Sequence, residues 1–264
     1  MITAASLSLS PQPARVATAF LAVQSPAAAL KVLSLLRDEV GEAVSACELM
    51  SRTGFEFLGE AFPDLRQPFA APPDWAILVE IGTGLRLDPE AALMAVYDAG
   101  TKDGLISDGA VAQSEHQRTA FWAVRETMPE ANRKIGAIAS HDISLPLGVI
   151  AEFVEETRPM VLALGDVRLN AFGHLGDGNL HFNVFPAEGR TKAEMIHLKP
   201  AVMRLVHDQT AAFGGAFSAE HGVGRLKVDD AERYGDPARL AAMRAIKTAL
   251  DPNGILNPGA VLRA

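Results

Sequence analysis

Between Val167 and Phe185 the chain reads VRLNAFGHLGDGNLHFNVF, and no other stretch constrains the fold as tightly. Apolar and polar residues alternate on both sides of a Gly-Asp-Gly-Asn turn, which is the pattern of two strands joined by a tight reversal. Such a hairpin requires antiparallel pairing and sets residues of the two arms side by side. The stretch GHLGDGNLHFNV within it, Gly173 to Val184, also holds two histidines, an aspartate and two asparagines. Either these only make a turn, or they belong to a metal or catalytic site.

Strand and helix patterns mix along the rest of the chain. Val16–Ser25 reads as a buried strand, followed by a helix opened by Pro26 and closed at Gly41. Trp75–Gly84 is a second strand, and Asp88 caps a helix that begins with Pro89. Further helices are predicted from Gln113 to Gly136, after the break at Pro146, from Thr191 to Gly215, and from Pro237 onward. Phe217–Lys227 reads as a loop, and the chain closes in a Pro/Gly-rich tail. The mixture predicts an α+β fold, an antiparallel sheet with helices packed on one face.

Cys47 is the one cysteine in 264 residues, so no internal disulfide and no cysteine-based zinc cluster can form. That suits a reducing cytosol, and a cytoplasmic location is expected. The start of the chain lacks a basic n-region followed by a long apolar core, so no secretory signal is expected, and no apolar run predicts a membrane span. A formal net charge of −8 argues against nucleic acid or an anionic membrane as partner, while leaving room for a local basic pocket.

Candidate chemistry gathers in two places. His174 and His181 flank the turn and can converge if the register puts them on one face, whereas Asp177 suits a turn role. Glu220 and His221 are adjacent in SAEHGVGRLK, where Gly222 and Gly224 disfavour a helix and display the side chains from a loop. Two imidazoles and a carboxylate form a ligand set for zinc, manganese or iron with positions left open, and His221 would remain free as a base. The alternative is a surface Glu–His pair beside a glycine cap. Arg125, next to Trp122 on a helix, is either a carboxylate clamp or an exposed ion-pairing arginine. His197 and His207 are expected to face solvent, His116 lies at a polar helix start, and Cys47 is expected to be buried. GVGRLK neither follows a strand nor opens a helix, so it is not read as a dinucleotide loop.

Three ordered motifs, GHLGDGNLHFNV, SAEHGVGRLK and LDPNGILNPGAVL, resemble the C-terminal half of the FAD-linked oxidases of the vanillyl-alcohol oxidase superfamily. Within it the chain looks most like the D-2-hydroxyglutarate dehydrogenase branch, with D-lactate dehydrogenases and the glycolate oxidase flavoprotein subunit nearby. The resemblance extends through VATAFLAVQS and FWAVRE…HDISLP to nearly the whole chain. It implies a single FAD-linked oxidase C-terminal domain over residues 1–264. A ferredoxin-like substrate or cap region would span about 15–215, and a helical return toward the flavin about 216–264. The N-terminal FAD-binding domain of the family is expected to be absent, so an FAD-binding domain or subunit is an expected partner.

By the same resemblance His174, His181 and Glu220 match metal ligands, and His221 matches the base that takes the hydroxyl proton. Arg125 and Asn183 match substrate contacts, and Asn257, with His221, matches positions on the flavin side. Two positions depart from the pattern: Ser140 stands where the family often has a lysine, and Pro129 where the hydroxyglutarate enzymes have a threonine. The implied function is FAD- and metal-dependent oxidation of a small 2-hydroxy acid to a 2-oxo acid, inactive without the FAD-binding part and compatible with a homodimer. A metal-dependent hydrolase and a non-catalytic module binding a hydroxy acid or metal are the alternatives.

Overall fold

A computed structural model describes residues 3–9 and 11–263. The small and β-branched run Arg15–Val23 forms strand β1, and Ser25 then opens helix α1, Pro26–Val40, by accepting the Ala28 amide on its hydroxyl. Strand β2 (Val44–Ser51) and helix α2 (Arg52–Ala61) follow. After strand β3 (Trp75–Thr83), Asp88 caps helix α3 (Pro89–Lys102), which leads into strand β4 (Ile106–Val111). Helix α4 (Glu115–Ile135) then crosses to strand β5 (Asp142–Ser144), helix α5 (Ile150–Leu162) and the hairpin of β6 (Val167–His174) and β7 (Asn179–Pro186). Helices α6 (Lys192–Met195), α7 (Lys199–Ala212), α8 (Val228–Tyr234) and α9 (Pro237–Leu250) complete the chain.

The seven strands form one sheet in the order β4-β1-β3-β2-β6-β7-β5, and every pairing is antiparallel. The order contains a repetition. The path β1-α1-β2-α2-β3-α3-β4, laid out spatially as β4-β1-β3-β2, is a ferredoxin-like unit with helix α2 inserted between its middle strands. The path β5-α5-β6-β7-α7 repeats it as β5-β7-β6, with Ala216 pairing antiparallel to Ser144 in place of a last strand. The two units meet where β2 pairs with β6, a short ladder running from Glu48↔His174 to Met50↔Phe172.

The antiparallel α+β class is the one expected, but the helices cover both faces of the sheet rather than one. Ala19, Leu21, Ile77, Val79, Leu169 and Phe182 point to one side, where Leu33, Leu93, Phe153 and Val206 of α1, α3, α5 and α7 bury them. Phe20, Met50, Leu78, Phe172 and Phe185 point to the other side and meet Phe55, Leu58 and Met128 of α2 and α4. The sequence misleads because this second face mixes polar residues with large apolar ones, and alternation then imitates a solvated face. Several of its polar groups bond to one another: Ser51 Oγ donates to Asn170 Oδ1 at 2.9 Å, and Asn170 Nδ2 donates to Asn132 Oδ1 at 2.9 Å. No helix among the described residues is long and apolar enough to cross a membrane.

The hairpin closes more tightly than any side chain would allow at two positions. A Cβ on Gly173 would stand 2.4 Å from the Asn179 carbonyl oxygen, and one on Gly178, at φ +81°, would stand 2.2 Å from that of Leu145. Asp177 makes the turn as expected, its Oδ1 accepting the Asn179 amide at 3.1 Å.

Candidate active site

Because β6 and β7 are in register as Phe172↔His181, His174 lies two residues further along the same face, and the two imidazole centroids are 6.1 Å apart. Residues 217–227 form no helix or strand, and this loop carries Glu220 to the pair. Glu220 Oε1 is 3.3 Å from His174 Nε2. Ligand atoms of His174, His181 and Glu220 all lie within 4.8 Å of one another, close enough to share a single cation.

A buried carboxylate that the sequence does not single out stands behind the first of these ligands. Glu48, on β2, accepts from His174 Nδ1 at 2.8 Å on one oxygen and from Arg125 Nε at 2.9 Å on the other. The hydrogen bond to Glu48 raises the His174 pKa above its ordinary value and fixes the ring with Nε2 turned toward Glu220. Burial, helped by Arg125, lowers that of His181 and favours the neutral imidazole that ligates metals. Arg125 is thus no exposed helical arginine: it is 6% exposed, paired with Glu48, and its guanidinium carbon stands 5.1 Å from the centre of the Phe172 ring.

These residues line a cavity of about 560 Å³ whose wall includes Arg125, His174, His181, Asn183, Glu220 and His221. Asn183 Oδ1 accepts the His141 amide at 2.9 Å, so its amide nitrogen is the group left for the cavity. The two departures from the family pattern, Pro129 and Ser140, line the same cavity, as do Arg133 and Lys192. The last two escape sequence reading because Lys192 reaches the cavity only through the turn of chain after β7. Asn257 is not in this wall: it lies in the C-terminal tail, where its Oδ1 accepts from Arg225 at 3.1 Å. Cys47 is buried, as expected, and its thiol is pushed up to about 12, first by burial. His197 and His116 are exposed, but His207 is not solvent-facing. Its ring is buried against His141 with centroids 5.3 Å apart, because α7 turns that side onto the sheet.

Residues 12–261 match the family model described as FAD linked oxidases, C-terminal domain. The chain belongs to this family. Among curated relatives of this FAD-linked oxidase domain, the mitochondrial D-2-hydroxyglutarate dehydrogenase of Arabidopsis thaliana is 33% identical over 262 residues, 99% of this chain and 46% of that protein. The D-2-hydroxyglutarate dehydrogenase of Stutzerimonas stutzeri (strain A1501) is 30% identical over 265 residues, 100% of this chain and 56% of that one. The domain therefore spans about half the length of the curated relatives it matches. Solved structures share its fold: p-cresol methylhydroxylase with substrate bound has a TM-score of 0.65 at 13% identity, covering 95% of this chain and 53% of its own. The 4-ethylphenol oxidase from Gulosibacter chungangensis has a TM-score of 0.61 at 16% identity, covering 97% and 55%.

Proposed function

We propose that this chain is the substrate- and metal-binding half of an FAD-dependent D-2-hydroxy acid dehydrogenase, which oxidises a 2-hydroxy acid to the 2-oxo acid. The observation that carries the proposal is the convergence of His174, His181 and Glu220 in a cavity that Arg125 and Asn183 also line. Two imidazoles and a carboxylate suit zinc, manganese or iron and leave positions for substrate oxygens. Glu48 is the orienting carboxylate that metal-ligating histidines commonly have behind them. When bound, the cation supplies Lewis-acid polarisation of the hydroxyl and the flavin supplies the acceptor for the hydride leaving Cα.

The chain's own residues bind the substrate and move its proton. Arg125 has its Nε committed to Glu48, and its remaining N–H groups are the ones left to hold a carboxylate. Asn183 donates from its amide nitrogen to a substrate oxygen. His221 accepts the hydroxyl proton at Nε2, since its Nδ1 lies 3.6 Å from Asp142 Oδ2. Arg133 and Lys192 add positive charge to the cavity of an otherwise acidic molecule, which favours an anionic substrate. The exposed Leu226, Ile246, Leu250, Ile255 and Leu256 of the C-terminal segment offer an apolar face to an FAD-binding domain.

Elemental analysis and calorimetry test this directly. The purified chain is expected to bind a divalent ion, and His174→Ala to lose it with the circular dichroism spectrum unchanged. Unchanged metal content in that variant would sink the ligand assignment. D-2-hydroxyglutarate or D-lactate should bind only the metal-loaded chain and reduce a dye once an FAD-loaded domain is supplied; ester hydrolysis without flavin would favour a hydrolase instead.

A further inference from the structure

The loop that presents Glu220 and His221 has no regular structure, yet three consecutive amides in it end on one residue. Ala219 N donates to the Asp142 carbonyl at 3.0 Å, and Glu220 N and His221 N each donate to Asp142 Oδ2 at 2.8 Å. The other oxygen, Oδ1, accepts from Asn179 Nδ2 at 2.8 Å and lies 4.0 Å from His181 Nδ1. Asp142 sits on the three-residue edge strand β5, directly opposite His181 in the ladder, and is buried. Burial alone would raise its pKa, but the His221 amide, the Asn179 side chain and the Glu220 amide together hold it below the ordinary carboxylate value.

Asp142 also stands within 4.8 Å of ligand atoms on Glu220 and His221, a second grouping that could hold a cation. Its hydrogen bonds decide against that use. Both oxygens already accept N–H donors, whose positive ends would face an incoming cation. The carboxylate is spent on the loop.

We infer that Asp142 is a positioning residue that clamps residues 219–221 so that Glu220 reaches His174 and His221 faces the cavity. Among the described residues these three amides have no other acceptor; the neighbouring bonds, Ser218 Oγ to the Gly222 carbonyl and Lys227 Nζ to Ser218 Oγ, lie outside the clamp. The roles given to Glu220 and His221 rest on the proposed function, whereas the clamp is a property of the loop itself.

Hydrogen–deuterium exchange and Zn²⁺ titration calorimetry on Asp142→Ala and Asp142→Asn separate the two. Asp142→Ala should speed exchange at the Glu220 and His221 amides while leaving β6 and β7 protected, and should weaken Zn²⁺ binding by about 10–100-fold. Asp142→Asn keeps an acceptor oxygen, so it should restore the loop's protection but recover only part of the affinity, having lost the charge facing His181 and His221. Unchanged exchange at 220–221 in the alanine variant, or equal loss of protection throughout β6 and β7, would overturn the inference. If the alanine variant does not fold, Asp142→Ser, too short to reach the two amides, takes its place, and unchanged exchange at the Glu220 and His221 amides in it overturns the inference. If the parent itself binds no Zn²⁺, the metal assignment fails, and the exchange experiment still decides the clamp.

Discussion

Glu48 sits buried between a guanidinium and an imidazole, and this arrangement makes a sharp energetic demand. Arg125→Met would leave its buried charge facing His174 alone. The expected loss is about 3–5 kcal/mol of stability, read by urea denaturation, whereas the double change Glu48→Leu with Arg125→Met should cost far less. A double variant no more stable than the single one would show that the pair is not what the fold depends on. Single residues were legible in the sequence where their chemistry is local. His174 and His181 follow from a hairpin period, and Asp177 from turn geometry. Glu48 and Asp142 were not, because their partners lie far along the chain: Arg125 is 77 positions from Glu48, and His221 is 79 from Asp142. No local pattern encodes such a pairing.

At the scale of elements the same division holds. Capped helices such as α1 and α3 and the apolar strands β1 and β3 announce themselves, whereas β2, α2 and β4 do not. Helix α2, RTGFEFLGEA, carries two glycines and places Phe55 and Phe57 two apart, which imitates a strand although its apolar face is helical. Strand β4, ISDGAV, holds Asp108 and Gly109 and looks like a turn. The hairpin gives the element-scale prediction. Gly178→Ala should destabilise the chain by roughly 1–3 kcal/mol for its left-handed backbone alone, and more for the collision with the Leu145 carbonyl. Gly176→Ala, in the same turn but with open space around it, should stay within about 0.5 kcal/mol of the parent. Equal denaturation midpoints for the two variants would refute the close approach.

For the molecule as a whole, the internal repetition was not legible. The two ferredoxin-like units share a path and not a sequence, and the last strand of the second is reduced to the single bridge at Ala216. Global stability should carry the mark of two buried histidines. Burial pushes His141 down to about 3, so it is neutral when folded, and burial lowers His207 in the same direction. Unfolded, each takes up a proton below pH about 6.5, so the unfolded state binds more protons. The His141 contribution is therefore lost as pH falls from about 6.5 toward 3, by up to about 1.4 kcal/mol per unit, and His207 acts in the same direction. Urea midpoints between about pH 7.5 and 5 should slope accordingly, and His141→Gln should flatten the slope; an unchanged slope in that variant removes His141 from the account.

The short ladder between β2 and β6 has a mechanical consequence. It is the strip of sheet that joins the two halves, and the tie from Arg125 through Glu48 to His174 is sewn across it. When this strip parts, Glu48 leaves with one half and His174 with the other, and the imidazole is free to swivel. The proposed hold of the cavity on an ion would then depend on how firmly two similar halves stay stitched together, so that loosening α1 from α5, on the opposite face, should weaken it.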